Sequence, residues 1–180
     1  MPRNVEVKIK VINLAVIRTL VQKISGRENP DESLQQTDTF FRGANGRLKL
    51  REFGSKKEGQ LIQYDRPDTP EAKLSTFFVT VTQEPQQLRA ILSHAYGVLG
   101  EVTKTREVWI VNQTRVHLDA VTGLGDFVEL EVMLNPDQSV EQGNQIADNL
   151  MKSLTLTDPS NRLISGAYLD LLLKNKSVTA

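Results

Sequence analysis

The chain opens on strict alternation. Val5, Val7, Ile9 and Val11 hold one phase while Glu6, Lys8 and Lys10 hold the other, the period of a strand with one face turned to a core. The period then lengthens. Leu14, Ile17, Val21 and Ile24, with Val16 and Leu20 beside them, recur at helical spacing behind Asn13 as N-cap. Ser25 to Ser33 reads as a polar loop. Two strands follow, Leu34 to Arg42 and Arg47 to Phe53, joined by Gly43-Ala44-Asn45-Gly46, whose Asn-Gly supplies the positive φ of a tight hairpin. Further strands are predicted near Gln60 to Arg66 and Leu74 to Val81. Pro85 opens a helix carrying Leu88, Ile91 and Leu92. Three more strands run from Glu101 to Val111, Thr114 to Ala120 and Phe127 to Leu134. Ser139 and Gln142 form a capping box ahead of the stripe Ile146, Ala147, Leu150, Met151 and Leu154. A last helix is predicted from about Asn161 to Leu173.

Eight or so mostly hairpin-linked strands, with helices in the connections and at the end, predict an α+β protein. The expected form is an eight-stranded antiparallel sheet closed into a barrel, with helices packed outside. No repeat, linker or low-complexity tract interrupts the pattern, so residues 1–180 are expected to form one domain.

Composition narrows the function. Twenty-two basic residues balance twenty-two acidic ones, so no global field draws the chain to nucleic acid or an anionic membrane, and any anion site must be local. The absence of cysteine removes thiolate nucleophiles, disulfides and Cys-based zinc sites. Aromatic residues are 6% of the chain, and with no basic surplus they indicate no nucleic-acid surface. Charges occupy the N-terminus where a signal peptide needs apolar residues, and no run is long enough to span a bilayer, so the expectation is a cytoplasmic protein. Gly123-Leu124-Gly125-Asp126 lacks the ending of a phosphate-binding loop and reads as a bend.

The charged phases of the strands carry the chemistry. Arg47, Lys49 and Arg51 share one face of a strand, in a row with steps of roughly 7 Å. Lys104 and Arg106 repeat the device, Glu129 and Glu131 put two carboxylates on one face, and Glu6 and Lys8 share the first strand. Arg115 and His117 stand in the phase of Asp119. On any single strand such charges read as a solvated face whose cross-strand pairs contribute at most about 1 kcal/mol each. Four strands together point to a charged lumen suited to a polyanion, with carboxylates that hold Mg²⁺ or Mn²⁺. From the residues alone, Glu6, Glu129 and Glu131 read equally as a buried ion-pair cluster or a metal site.

Several motifs, in order, resemble the CYTH superfamily, the triphosphate tunnel metalloenzymes, which include class IV adenylyl cyclases, thiamine triphosphatases and inorganic triphosphatases. They are Asn4-Val5-Glu6-Val7-Lys8, Thr37-Asp38-Thr39-Phe40-Phe41, Arg47-Leu48-Lys49-Leu50-Arg51-Glu52, Lys104-Thr105-Arg106, and the stretch Val116 to Glu131 with its His-Leu-Asp, Gly-Leu-Gly-Asp-Phe and Glu-x-Glu. The resemblance implies a tunnel binding ATP, inorganic triphosphate or thiamine triphosphate. Lys10, Arg47, Lys49, Arg51, Arg66, Lys104, Arg106 and Arg115 are the candidate triphosphate contacts. Glu6, Glu129 and Glu131 are the candidate ligands of Mg²⁺ or Mn²⁺, and Lys8 and Asp119 the candidate catalytic residues. Three positions depart from the family pattern: Asn4 replaces a glutamate, Asp65 stands about where a lysine is common, and Gly166 stands where a basic residue is common. They make a non-catalytic nucleotide or polyphosphate binder the alternative. A homodimer is the default expectation for a soluble enzyme of this size.

Overall fold

The computed structural model describes residues 3–178. Met1, Pro2, Thr179 and Ala180, included in the expected 1–180 domain, lie outside the described residues. The elements run β1 (Arg3–Lys10), α1 (Leu14–Ser25), β2 (Glu32–Phe41), β3 (Arg47–Phe53), β4 (Gly59–Asp65), β5 (Lys73–Thr82), α2 (Pro85–Tyr96), β6 (Val98–Val111), β7 (Thr114–Val121), β8 (Gly125–Met133), α3 (Val140–Ser153), β9 (Arg162–Leu163) and α4 (Tyr168–Val178). Strands β5-β4-β3-β2-β6-β7-β8-β1 pair in that order, all antiparallel. β1 also pairs with β5, with Asn4 opposite Ser75 and Glu6 opposite Lys73, so the eight strands close into the expected barrel. The short β9 lies against the end of β1, opposite Ile9 and Lys10.

The barrel is apolar on its outside and charged within. Val5, Val7 and Ile9 of β1, Trp109 of β6, Val116 and Leu118 of β7, and Val128, Leu130 and Val132 of β8 pack outward under α1 and α3. Alternation therefore sends Glu6, Lys8, Arg106, His117 and Glu129 inward. α2 covers a second patch, where Leu92 meets Phe41 and Leu50. Helix α1 starts where its sequence says, with Asn13 Oδ1 accepting from the Ala15 amide, and α3 keeps its reciprocal Ser139–Gln142 box. In the β2–β3 connection only Gly46 takes a positive φ, 59°. A Cβ there would come within 2.5 Å of the Tyr64 carbonyl oxygen.

The C-terminus corrects one expectation. The last helix begins at Tyr168, not near Asn161, because Arg162 and Leu163 extend to pair with β1 and Gly166 turns the chain at φ 76°. The segment from Ile164 to Leu172 then packs on Phe40, Val102, Val121, Leu124 and Phe127, filling one end of the barrel. Among the described residues, no helix is long and apolar enough to cross a membrane.

Helix α3 sits so close to β1 that a Cβ on Gly143 would meet Val5 Cγ2 and Leu134 Cδ2, each at 2.7 Å. Gly143→Val is expected to lower stability by about 1–3 kcal/mol, as overpacking does, read as a lower midpoint in urea denaturation at unchanged slope.

Candidate active site

The lumen encloses about 610 Å³. Its floor is set by Asp38, which the alternation of β2 points inward between Gln36 and Phe40. Asp38 accepts from Lys49 Nζ at 2.8 Å and from Arg51 through Nε at 2.7 Å and Nη2 at 2.9 Å, and lies 3.5 Å from Lys104 Nζ. Burial alone raises this carboxyl's pKa, but Arg51, Lys49 and Lys104 together hold it well below the usual carboxylate range. The lysines move the other way. Burial, opposed by Asp38 and reinforced by neighbouring arginines, brings Lys49 down to about 8 and Lys104 down to about 7.

A second cluster stands on β1, β6, β7 and β8. Arg106 forks onto Asp119, Nε to Oδ1 at 2.7 Å and Nη2 to Oδ2 at 2.6 Å, and also reaches Glu129 at 3.2 Å. Tyr168 of α4 donates to Asp119 Oδ2 at 2.8 Å, and the Lys8 ammonium lies 4.2 Å from the centre of its ring. Lys8 also stands 4.0 Å from Glu129 and donates to the Gly166 carbonyl at 3.4 Å, which accepts from Arg66 at 2.7 Å as well. Against their burial, Asp119 is held low mainly by Arg106, and Glu129 well low by Lys8 and Arg106. Both carboxylates are charged at neutral pH.

The donors for a divalent cation lie on adjacent strands. One atom each from His117, Glu129 and Glu131 falls within 4.8 Å of the others. His117 is buried, its Nδ1 makes no hydrogen bond, and burial with Arg106 nearby lowers it to about 4, leaving a neutral lone pair. Asn4 adds a buried, unpartnered Oδ1 at the cavity wall. An imidazole nitrogen without a hydrogen-bond partner and two carboxylates are a donor set that fits Mn²⁺ or Mg²⁺. Glu6 faces Glu131 across β1 and β8 but gives its carboxylate to Arg66.

Of the residues singled out from sequence, Glu6, Lys8, Lys49, Arg51, Arg66, Lys104, Arg106, Arg115, Glu129 and Glu131 line the cavity, Arg115 at its mouth. Asp119 stands behind Arg106. Two others do not reach the cavity either. Lys10 is exposed, over the Phe127 ring, and Arg47 is occupied by Asp68 at 2.7 Å and Asp170 at 2.9 Å beside α4. Sequence reasoning missed Lys73, buried opposite Glu6 and lowered to about 8 by burial and by Arg66 and Lys8. Its phase with Ser75, Phe77 and Val79 was the available signal. Tyr168 had none, since only the turn at Gly166 brings it into the lumen.

Comparison with known proteins agrees with this fold. The pattern of the CYTH domain family matches residues 2–162. The Pyrococcus horikoshii protein PH1012 is 20% identical with a TM-score of 0.80, over 93% of this chain and 98% of that one. A candidate adenylate cyclase from Vibrio parahaemolyticus is 21% identical with a TM-score of 0.76, over 94% and 97%. The Hippeastrum protein HpAC1, a candidate adenylyl cyclase described with a dominant triphosphatase activity, is 15% identical with a TM-score of 0.66, over 96% of each. At these identities the likeness is one of fold. No curated protein matches the chain.

Removing the Asp38 charge leaves three buried cations without their counter-ion. Asp38→Asn is expected to cost about 3–5 kcal/mol, whereas Asp68→Asn, whose side chain is half exposed, costs less than about 1 kcal/mol. Thermal melts of the two variants side by side check the contrast.

Proposed function

The chain belongs to the CYTH domain family, and on that premise we propose that it is a single-domain, metal-dependent phosphoryl-transfer enzyme whose substrate is a triphosphate. The observation that carries the reading is the lumen itself: Lys8 of β1, Lys49 and Arg51 of β3, Arg66 after β4, and Lys104 and Arg106 of β6 converge on one cavity, against the carboxylates of Glu6, Asp38, Asp119, Glu129 and Glu131. Such a cluster of cations suits a polyanion far better than a neutral ligand. Neighbours described as adenylate cyclase and as triphosphatase support the same substrate chemistry.

In this reading Lys49, Arg51, Lys104 and Arg106 take the phosphate oxygens, each cation already aimed by a carboxylate so that little reorganisation accompanies binding. Lys8, held by Glu129 and the Gly166 carbonyl, stands where it can steady the transferring phosphoryl group or its nucleophile. Asp119 fixes the Arg106 fork and takes the Tyr168 hydroxyl. Glu129, Glu131 and His117 would hold the divalent cation. A divalent cation bound there supplies charge neutralisation at the phosphoryl oxygens. Water as nucleophile gives a hydrolase, and the ribose 3′ hydroxyl of ATP gives a cyclase.

Two measurements test the proposal. With Mn²⁺ or Mg²⁺, turnover of a triphosphate is expected and is abolished by chelator and by Glu129→Gln with Glu131→Gln, while Lys49→Met chiefly raises KM. Orthophosphate release identifies a hydrolase, and cyclic AMP with pyrophosphate a cyclase. Turnover indifferent to metal and to both carboxylates sinks the assignment. The second uses pH. Lys104 and Lys49 sit at about 7 and about 8 in the free protein, and a bound polyanion raises both, so binding takes up protons near pH 8 and weakens from pH 7 to pH 9. Tripolyphosphate calorimetry in buffers of differing ionisation enthalpy reads the uptake directly.

A further inference from the structure

The cavity changes character along its axis. Its depth holds Lys8, Lys49, Lys104 and Arg106, next to the end filled by α4. Toward the opposite end, where β2 and β4 begin and β3, β5 and β6 finish, Leu34, Phe53, Phe77 and Val79 form an apolar stretch of the lining, among the polar Glu32, Lys56, Gln60 and Arg115. Val79 is 48% exposed and Phe53 and Phe77 are only half-buried, so this apolar wall stands open to solvent. A phosphate chain alone leaves it wet. A volume of about 610 Å³ falls within the roughly 300–1,000 Å³ of pockets that enclose ring-bearing organic ligands.

Gln36 marks the junction. It follows Leu34 and precedes Asp38 in the inward phase of β2, and across the sheet it lies opposite Phe53 on β3 and Lys104 on β6. The residue is 3% exposed, yet its Oε1 has no hydrogen-bond partner. A buried acceptor without a donor is costly, and this one lies on the cavity wall between the cations and the apolar stretch. A hydroxyl or amino group on a ligand satisfies it. A fully ionised phosphate chain has no donor to offer.

We infer that the site takes an organic triphosphate in preference to inorganic tripolyphosphate. The phosphate chain lies in the cationic depth, a hydroxyl or amino group donates to Gln36 Oε1, and the ring lies against Phe53, Phe77 and Val79. The inference rests on the triphosphate-binding reading above and adds the organic half of the substrate. α4 sets the orientation, because with that end filled the ring stays at the mouth.

Calorimetry with ATP, thiamine triphosphate and tripolyphosphate, each with Mn²⁺ and with chelator, tests it without requiring turnover. At least one organic triphosphate is expected to bind tenfold or more tighter than tripolyphosphate. Phe53→Ala with Phe77→Ala should cut that preference about tenfold, the scale of a lost ring contact, and Gln36→Met should cut it several-fold. Val79→Asp, at a half-exposed position that tolerates the change, should cut the same ratio and stands in if the double variant does not fold. Tripolyphosphate binding as tightly as both organic ligands overturns the inference and leaves triphosphate binding intact. A preference that survives every mouth variant overturns it as well. Failure of all three ligands to bind overturns the triphosphate reading with it.

Discussion

Burying several cations inside one barrel is possible only if carboxylates are buried with them, and the rest of this molecule follows from that constraint. Asp38 alone serves Lys49, Arg51 and Lys104, while Asp119 and Glu129 serve Arg106 and Lys8. The pairing is shared rather than one to one: Asp38 and Glu129 each stand beside more than one cation, and Arg106 beside two carboxylates. Burial is the main cause of the low values of Lys49, Lys73 and Lys104, and the neighbouring cations add to it.

The inversion of the barrel is what supplies such an interior. Strand positions that alternate apolar and charged normally turn the apolar phase inward and the charges to water. Here helices α1, α2 and α3 cover the outside, so the hydrophobic effect is satisfied on the outer face and the inner face is released for polar chemistry. The close seat of Gly143 on Val5 shows how tightly this outer layer is fitted. The fourth helix and the turn before it have a different task, sealing one end and adding the Tyr168 hydroxyl and the Gly166 carbonyl to the partners of Asp119, Lys8 and Arg66.

Two of the three departures from the family pattern find a physical setting. Asn4 keeps a buried, unpartnered oxygen at the cavity wall where the family pattern has a glutamate. At Gly166 a side chain would run into Asp170, 2.8 Å from its Cβ, and the backbone carbonyl there meets Lys8 and Arg66 instead of a further cation entering. Asp65 is exposed at the end of β4 and takes no part in the cavity. The candidate site is thus coherent around these residues and not in spite of them.

Local pattern was enough to determine the eight barrel strands, the first three helices and the inward phase of most charged residues, because alternation, capping and turn residues act over a few positions and leave their mark in order along the chain. The motifs of β1, β3, β6 and β8 carried the site as far as its cations and carboxylates. Which carboxylate serves which cation was decided only by tertiary structure, since the pairing depends on the register between strands far apart in sequence: Glu6 goes to Arg66, Asp119 to Arg106 and Asp38 to three partners at once. The same holds for Lys10 and Arg47, which share the phase of cavity residues but sit beyond its end, where strand tilt and α4 carry them out of reach. Periodicity fixes the face on which a side chain stands. How far along the barrel it stands, and what lies opposite, comes from closure of the sheet and from a C-terminal segment whose role is visible only once the chain has folded back on itself.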